Sequence, residues 1–169
     1  MKHLLKVIEI QHIRDGKVIW EDKNLYNTLH TLAEQYFLSV LFGGVTPPAN
    51  YFMGLDNRGT ITVDDTMESL VDEPTANGYL RQQVSSSSGW NIQQVTINET
   101  NIYQAIGSII TFQANGGSWG PVNNLFMTTT SDNSGVLLAS VILSQEVTLN
   151  SGDSINMRMS LSLRDAPLT

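Results

Sequence analysis

Gly116-Gly117-Ser118-Trp119-Gly120 satisfies Gly-x-Ser-x-Gly, the pattern that presents a serine nucleophile on a sharp turn between a strand and a helix. That chemistry also needs an acid and then a histidine later in the chain, and His3, His12 and His30 all precede Ser118. Pro121 and the β-rich sequence after it deny the serine its helix, so the segment reads as a glycine-rich loop anchored by Trp119. The three histidines are too dispersed for a short metal motif, and no His-Glu-x-x-His occurs. They read as satisfied strand or surface residues. Asp64-Asp65 is half of a glycosidase pair at best, since that reaction takes two carboxylates about 5–10 Å apart and any acidic loop offers as much. Asp56, Asp64, Asp65, Glu68, Asp72 and Glu73 are opposed locally by Arg58 alone, yet the regular Asp-x-Asp-x-Asp-Gly calcium loop is missing. A solvated loop with one short helical turn near Thr66 to Leu70 is the expectation there. The glycines form neither a Walker pattern nor Gly-x-Gly-x-x-Gly. Asn98-Glu99-Thr100 matches a glycosylation sequon, idle without a secretion signal. Trp90, Trp119, Tyr79 and Tyr103 either form a sugar-stacking platform or pack into core and interface, the second being the plainer reading. No catalytic residue, metal ligand or cofactor is expected, and the chain reads as a non-enzyme.

The elements that would position these residues are mostly strands. Residues 4 to 22 read as a hairpin around Arg14-Asp15-Gly16-Lys17. From Asn24 to Phe42 apolar residues fall at helical spacing, with Asn24 or Asn27 to cap the helix and Gly43-Gly44 to end it. Glu34 is the one formal charge in that amphipathic helix, which predicts cover on more than one side, as a core or interface helix. Pro47-Pro48 restarts the chain as an extended segment, Tyr51 to Leu55. After Gly78 strands are predicted near 79–84, 92–98, 102–113, 122–130, 136–149 and 154–164. Ile155, Met157, Met159, Leu161 and Leu163 alternate with polar residues, as do Leu137, Ala139, Val141, Leu143, Val147 and Leu149. With Asn150-Ser151-Gly152-Asp153 as the turn, these two strands are expected to pair as a long hairpin. The fold class is mainly β, an antiparallel β-sandwich or jelly-roll-like protein, with residues 1–23 as an N-terminal hairpin or arm and 24–169 as the helix and sandwich domain.

Composition restricts the partners. The 169 residues fit one domain, and charged residues make up 15% of them against about 25% in typical soluble domains. A formal net charge of −7 with nine scattered basic residues argues against nucleic acid. With no cysteine, stability must come from burial and from association. Met1 to Lys6 resembles a signal peptide only briefly before Lys6 and Glu9 interrupt it, and no stretch approaches the about 20 apolar residues of a membrane span. A soluble protein is expected.

Between Glu99 and Asp132 lie 32 residues without Lys, Arg, Asp or Glu, Ile106, Phe112, Trp119, Leu125 and Phe126 among them. Exposed sheet edges usually carry charges that prevent pairing with other chains. The stretch is therefore either central to the sandwich or a subunit contact, where charge is depleted and aromatics are enriched. On the second reading Trp119, Val122, Leu125 and Phe126 are the expected interface anchors.

The order of segments resembles small virion structural proteins of tailed bacteriophages: a helix ending in Leu41-Phe42-Gly43-Gly44, then Tyr51-Phe52-Met53-Gly54-Leu55, an acidic segment and Gly78-Tyr79-Leu80-Arg81-Gln82. Trp119 to Phe126, Gly135 to Ala139 and Leu149 to Ile155 continue the likeness. The resemblance, over roughly residues 24 to 164, implies a subunit assembled in the host cytoplasm that decorates or cements the capsid through multivalent contacts, or sits as an accessory piece of the head or tail, on the capsid or tail surface of the virion. Self-association, with a trimer favoured, and contacts to major capsid or other virion proteins follow from it as expectations. The alternative is a carbohydrate-binding or host-recognition module of a phage tail or fibre.

Overall fold

Asp15 and Gly16 both hold a positive φ, 49° and 71°, the pair of left-handed residues that a two-residue hairpin turn of type I′ requires. They join β1 (Leu5–Arg14) to β2 (Lys17–Tyr26), as the Asp-Gly dipeptide predicts. The structure, a computed structural model, describes residues 5–97 and 99–162. His3, the rest of the 1–4 segment, Asn98 of the sequon, and Leu163 and Arg164 of the last alternating pattern lie outside the described residues. After β3 (Thr28–Leu29) and α1 (Thr31–Phe42) come β4 (Asn50–Asp56) and a single 3-10 turn at Met67–Ser69. Seven strands follow: β5 (Gln82–Ser85), β6 (Trp90–Ile97), β7 (Thr100–Gly107), β8 (Ile110–Gln113), β9 (Trp119–Thr128), β10 (Leu137–Leu149) and β11 (Ser154–Leu161).

These strands form two antiparallel sheets. One runs β2-β1-β11-β7-β6, with β8 also on β11; the other runs β3-β10-β9-β4-β5. The protein is thus mainly β, an antiparallel β-sandwich with one helix. The N-terminal hairpin belongs to the first sheet, with Ile10 opposite Met157 and His12 opposite Ile155. Alternation sends one side of each strand inward. Val7, Ile10, Phe112, Ile155, Met157 and Met159 of the first sheet share one core with Met53, Leu55, Leu125, Val141 and Leu143 of the second. Each such side chain contributes about 1.5–3 kcal/mol when fully buried.

The second sheet is covered on its outer face as well. Phe126 packs there with Met67, Leu137 and Leu70, beneath the segment between β4 and β5. The Arg81 guanidinium lies 5.1 Å from the Phe126 ring centroid, and the ring rests directly on Gly54, its cross-strand partner.

Three sequence expectations change. Strands β10 and β11 do not pair: β10 lies between β3 and β9, β11 between β1 and the β7 and β8 pair. Period-two alternation says that one face of a strand is buried, not which sheet it joins, and the turn at 150–153 carries the chain across the sandwich. Buried Asp153 pins that corner, accepting hydrogen bonds from Asn150 N (2.8 Å), Arg14 Nη2 (2.6 Å) and Arg14 Nε (2.9 Å), with His12 Nε2 at 2.9 Å from its carboxylate. The Arg14 hydrogen bonds, with those from Asn150 and His12, outweigh burial and hold the Asp153 carboxyl well below the usual range. The helix starts later than its apolar spacing predicts, because β2 continues until Leu25 and Tyr26 pair with Val7 and Lys6. It begins after His30 and ends at Gly43. Within the chain the helix is covered on one side: Ala33 is buried and Tyr36 and Phe37 pack on the core, while Leu38, Leu41 and Phe42 are exposed. The single strand expected over 102–113 breaks at Ser108-Ile109 into β7 and β8, which pair with successive parts of β11.

Candidate interaction surface

The acidic segment is the first place to look for chemistry; Asp64, Glu68 and Asp72 are exposed on it, as a solvated loop requires, but one end is interior. Asp56 and Arg58 are buried and joined by a 2.7 Å ion pair; Arg58 also reaches Asp65 Oδ2 at 2.9 Å and the Ser140 hydroxyl at 3.0 Å. His30, fully buried, sits 2.8 Å from that same hydroxyl through Nε2 and 3.0 Å from the Thr62 carbonyl through Nδ1. Burial lowers the pKa of its imidazole. This network replaces part of the expected solvated loop, and its charges satisfy one another, clamping the 57–65 segment to β10. The short helical turn is present at Met67–Ser69, with Thr66 and Ser69 exchanging cap hydrogen bonds. Among the described residues no group of three or more His, Asp or Glu side chains is arranged to hold a metal ion.

Ser118 lies in a loop that opens into strand β9, not a helix, so the nucleophile-elbow geometry is absent. Asn77 secures the loop: its Nδ2 donates to the Ser118 carbonyl at 2.9 Å, and its own carbonyl accepts from Trp119 Nε1 at 3.0 Å. Trp119 is the anchor of this loop, as its sequence suggests.

The four expected interface anchors stand inside the protomer. Trp119, Val122 and Leu125 belong to the main core and Phe126 to the smaller outer one; none is more than 4% exposed. Strand β9 is central, flanked by β10 and β4, which accounts for its lack of charge within one chain. The aromatic platform is not assembled either. Tyr79 stacks on Phe112 and meets Trp119 edge-on in the interior, whereas Tyr103 is 68% exposed.

What remains at the surface is a different apolar region. A groove of about 240 Å³ opens between the sheets, lined by Phe37 of α1, Tyr51 of β4, Trp90 and Ile92 of β6, Ala105 of β7 and Leu161 of β11. Ile92, Ala105 and Leu161 also line a neighbouring groove of about 430 Å³ that contains Tyr103. Direct pairing of Ile92 with Ala105 and of Gln94 with Tyr103 puts these side chains on one face of the β6–β7 hairpin. On α1, Leu41 follows Phe37 by one turn on the same side, and Leu38 and Phe42, with Val45 just past the helix end, extend the exposed apolar area. Surface of this kind and extent marks contact with another macromolecule more often than catalysis. The sequence signal for it was available in the uncharged β6 and in the width of the helix's apolar arc.

No helix among the described residues is long and apolar enough to cross a membrane. No curated protein matches the chain. A family model does: it covers residues 28–162, from β3 through β11, and is described as Podophage GP4 fiber I protein gp80. The match runs through both sheets and the helix, and with it the chain belongs to that family, as a bacteriophage structural protein with a β-sandwich fold.

Proposed function

We propose that this protein is a structural subunit of a phage fibre or of the tail region that carries it, acting through protein–protein contacts and not through catalysis. The observation that carries the reading is the family match over residues 28–162, whose printed description is that of a fibre protein. It supports the fibre placement over the capsid-decorating one. The surface is consistent with such a role: the exposed apolar groove between α1 and the β6–β7 hairpin supplies contact area. Repetition of modest contacts around a particle raises avidity without a single strong site.

Purified virions, dissociated stepwise into heads, tails and fibres and analysed by mass spectrometry, test this directly. The chain is expected in the fibre-containing fraction; recovery with heads alone would return the capsid-decorating role. Loss of α1 surface residues, as in Leu41→Ser with Phe42→Ser, should lower incorporation while the isolated protein keeps its melting temperature. The sugar-binding alternative keeps only Trp90 and Tyr103 of its four aromatics near the surface, and a glycan array comparing wild type with Tyr103→Ala tests it.

A further inference from the structure

The loop before β9 lacks the elbow geometry for Ser118, but it holds a second nucleophile, a glycine nitrogen that follows an asparagine. In such a pair no Cβ hinders the glycine nitrogen, which can attack the carbonyl carbon of the asparagine side chain. Two Asn-Gly dipeptides occur in the chain, Asn77-Gly78 and Asn115-Gly116. The fold brings them together. Asn115 N donates to the Asn77 carbonyl at 2.9 Å, and the Asn115 Cβ lies 3.2 Å from where a Gly78 Cβ would stand.

The two are held differently. Asn77 is half-buried and its Nδ2 donates to the Ser118 carbonyl at 2.9 Å. Its amide group also rests on Gly117, so closely that a Cβ there would meet Cγ, Nδ2 and Oδ1 at 2.6 Å. Turning Cγ toward Gly78 N means giving up both contacts. Asn115 is exposed, and among the described residues neither its side-chain amide nor the Gly116 N–H has a hydrogen bond. Gly116 is exposed as well, at φ 85° with open space where a side chain would stand.

We propose that Asn115 is a self-modification site, deamidating through its own Gly116 in the folded protein while the neighbouring Asn77 stays protected. The Gly116 nitrogen bonds to Asn115 Cγ, the Cγ–Nδ2 bond breaks, and Nδ2 leaves as ammonia with the proton that the Gly116 nitrogen gives up. The five-membered succinimide then takes up one water. Opening at Cγ leaves aspartate; opening at the Asn115 backbone carbonyl leaves isoaspartate, with the main chain now running through the side chain. Water is the one co-reactant, and nothing is oxidised or reduced. Either product puts a carboxylate inside the interval between Glu99 and Asp132 that otherwise lacks formal charge, and takes the chain one unit beyond its −7. Isoaspartate also inserts a methylene into the backbone just before Gly116-Gly117, so the support that Gly117 gives Asn77 is the first contact it disturbs. The reaction does not depend on which part of a particle the chain builds.

Incubation of the full-length protein in heavy-oxygen water at mildly alkaline pH tests this, with digestion in ordinary water and peptide mapping by mass spectrometry over time. The peptide containing Asn115 should gain heavy oxygen at least about tenfold faster than the one containing Asn77, the protection that a retained hydrogen bond and its packing provide. An isoaspartate-specific methyltransferase should label the same peptide, and anion exchange should resolve a more acidic form of the intact chain. In urea the two sites should react at similar rates, since each then has only its glycine neighbour. Asn115→Gln, whose longer side chain would need a six-membered ring, should remove the folded-state reaction and leave the circular dichroism unchanged. A folded chain that stays unmodified at Asn115, or that reacts at Asn77 as fast as at Asn115, would overturn the proposal.

Discussion

Gly54 and Phe126 face each other across β4 and β9, and only the absence of a side chain at Gly54 lets the ring lie flat on the sheet. A methyl group added at Gly54 would meet the ring at Cζ, Cε1 and Cε2, the last at 2.8 Å. The ring has no room to retreat: it is fully buried, Arg81 covers it at 5.1 Å, and Met67 and Leu137 pack at its sides. Overpacking at such a site costs about 1–3 kcal/mol, and with three ring atoms in contact we take the upper end. Replacing a strand glycine by alanine returns about 0.5–1 kcal/mol through reduced chain entropy. Gly54→Ala should therefore destabilise the protein by about 2 kcal/mol, a fall of about 4–8 °C in melting temperature for a chain of this size. Phe126→Leu, which removes the far ring atoms, should cost less than the about 3–5 kcal/mol of full truncation to alanine. Combined with Gly54→Ala it should show strong coupling, the double variant being more stable than the sum of the singles by about 1–2 kcal/mol. Urea denaturation of the four proteins measures the cycle. Strict additivity, or a neutral Gly54→Ala, would refute the view that ring and glycine are matched.

Phe126→Asp should not yield a folded but assembly-deficient protein; it should fail to fold, judged by circular dichroism, because the carboxylate would be buried beneath the segment between β4 and β5, where Arg81, the neighbouring cation, is already paired with Glu73. Arg58→Met should cost about 3–5 kcal/mol, since Asp56 is left buried and unpaired, with Asp56→Asn/Arg58→Met recovering part of it in chemical denaturation. Acid should act in two stages. The buried His30 has a lowered pKa, so the unfolded chain takes up its proton first and stability falls as pH drops below about 6.5. Asp153, whose pKa is lowered chiefly by Arg14, contributes stability that is complete above about pH 4 and lost as pH falls toward its folded value. Melting temperatures across pH should lose the upper stage in His30→Gln and the lower one in Asp153→Asn.

Local patterns foretold the elements well where the signal is local. The Asp15-Gly16 turn, the 3-10 turn near Thr66, the Gly43 helix stop and the alternation in β10 and β11 all depend on residues within a few positions of one another. The Gly116–Gly120 motif fails as an elbow partly on equally local grounds, the proline and strand that follow, and partly because all three histidines precede it. The start of α1 was misread because Leu25 and Leu29 fit helical spacing, while the decisive fact was the distant partner that β1 offers to β2.

For this chain, then, the sequence alone determined a β-rich, cysteine-free, acidic protein with a long charge-free interval, because propensity, turn chemistry and charge are properties of residues and near neighbours. The tertiary structure decided which sheet each strand joined and which side of the charge-free interval met water. It turned Trp119, Val122, Leu125 and Phe126 into core residues and left the uncharged β6 at an open edge. Sheet membership and burial depend on pairing between residues far apart in the chain, and alternation reads the same on a central strand and on an edge.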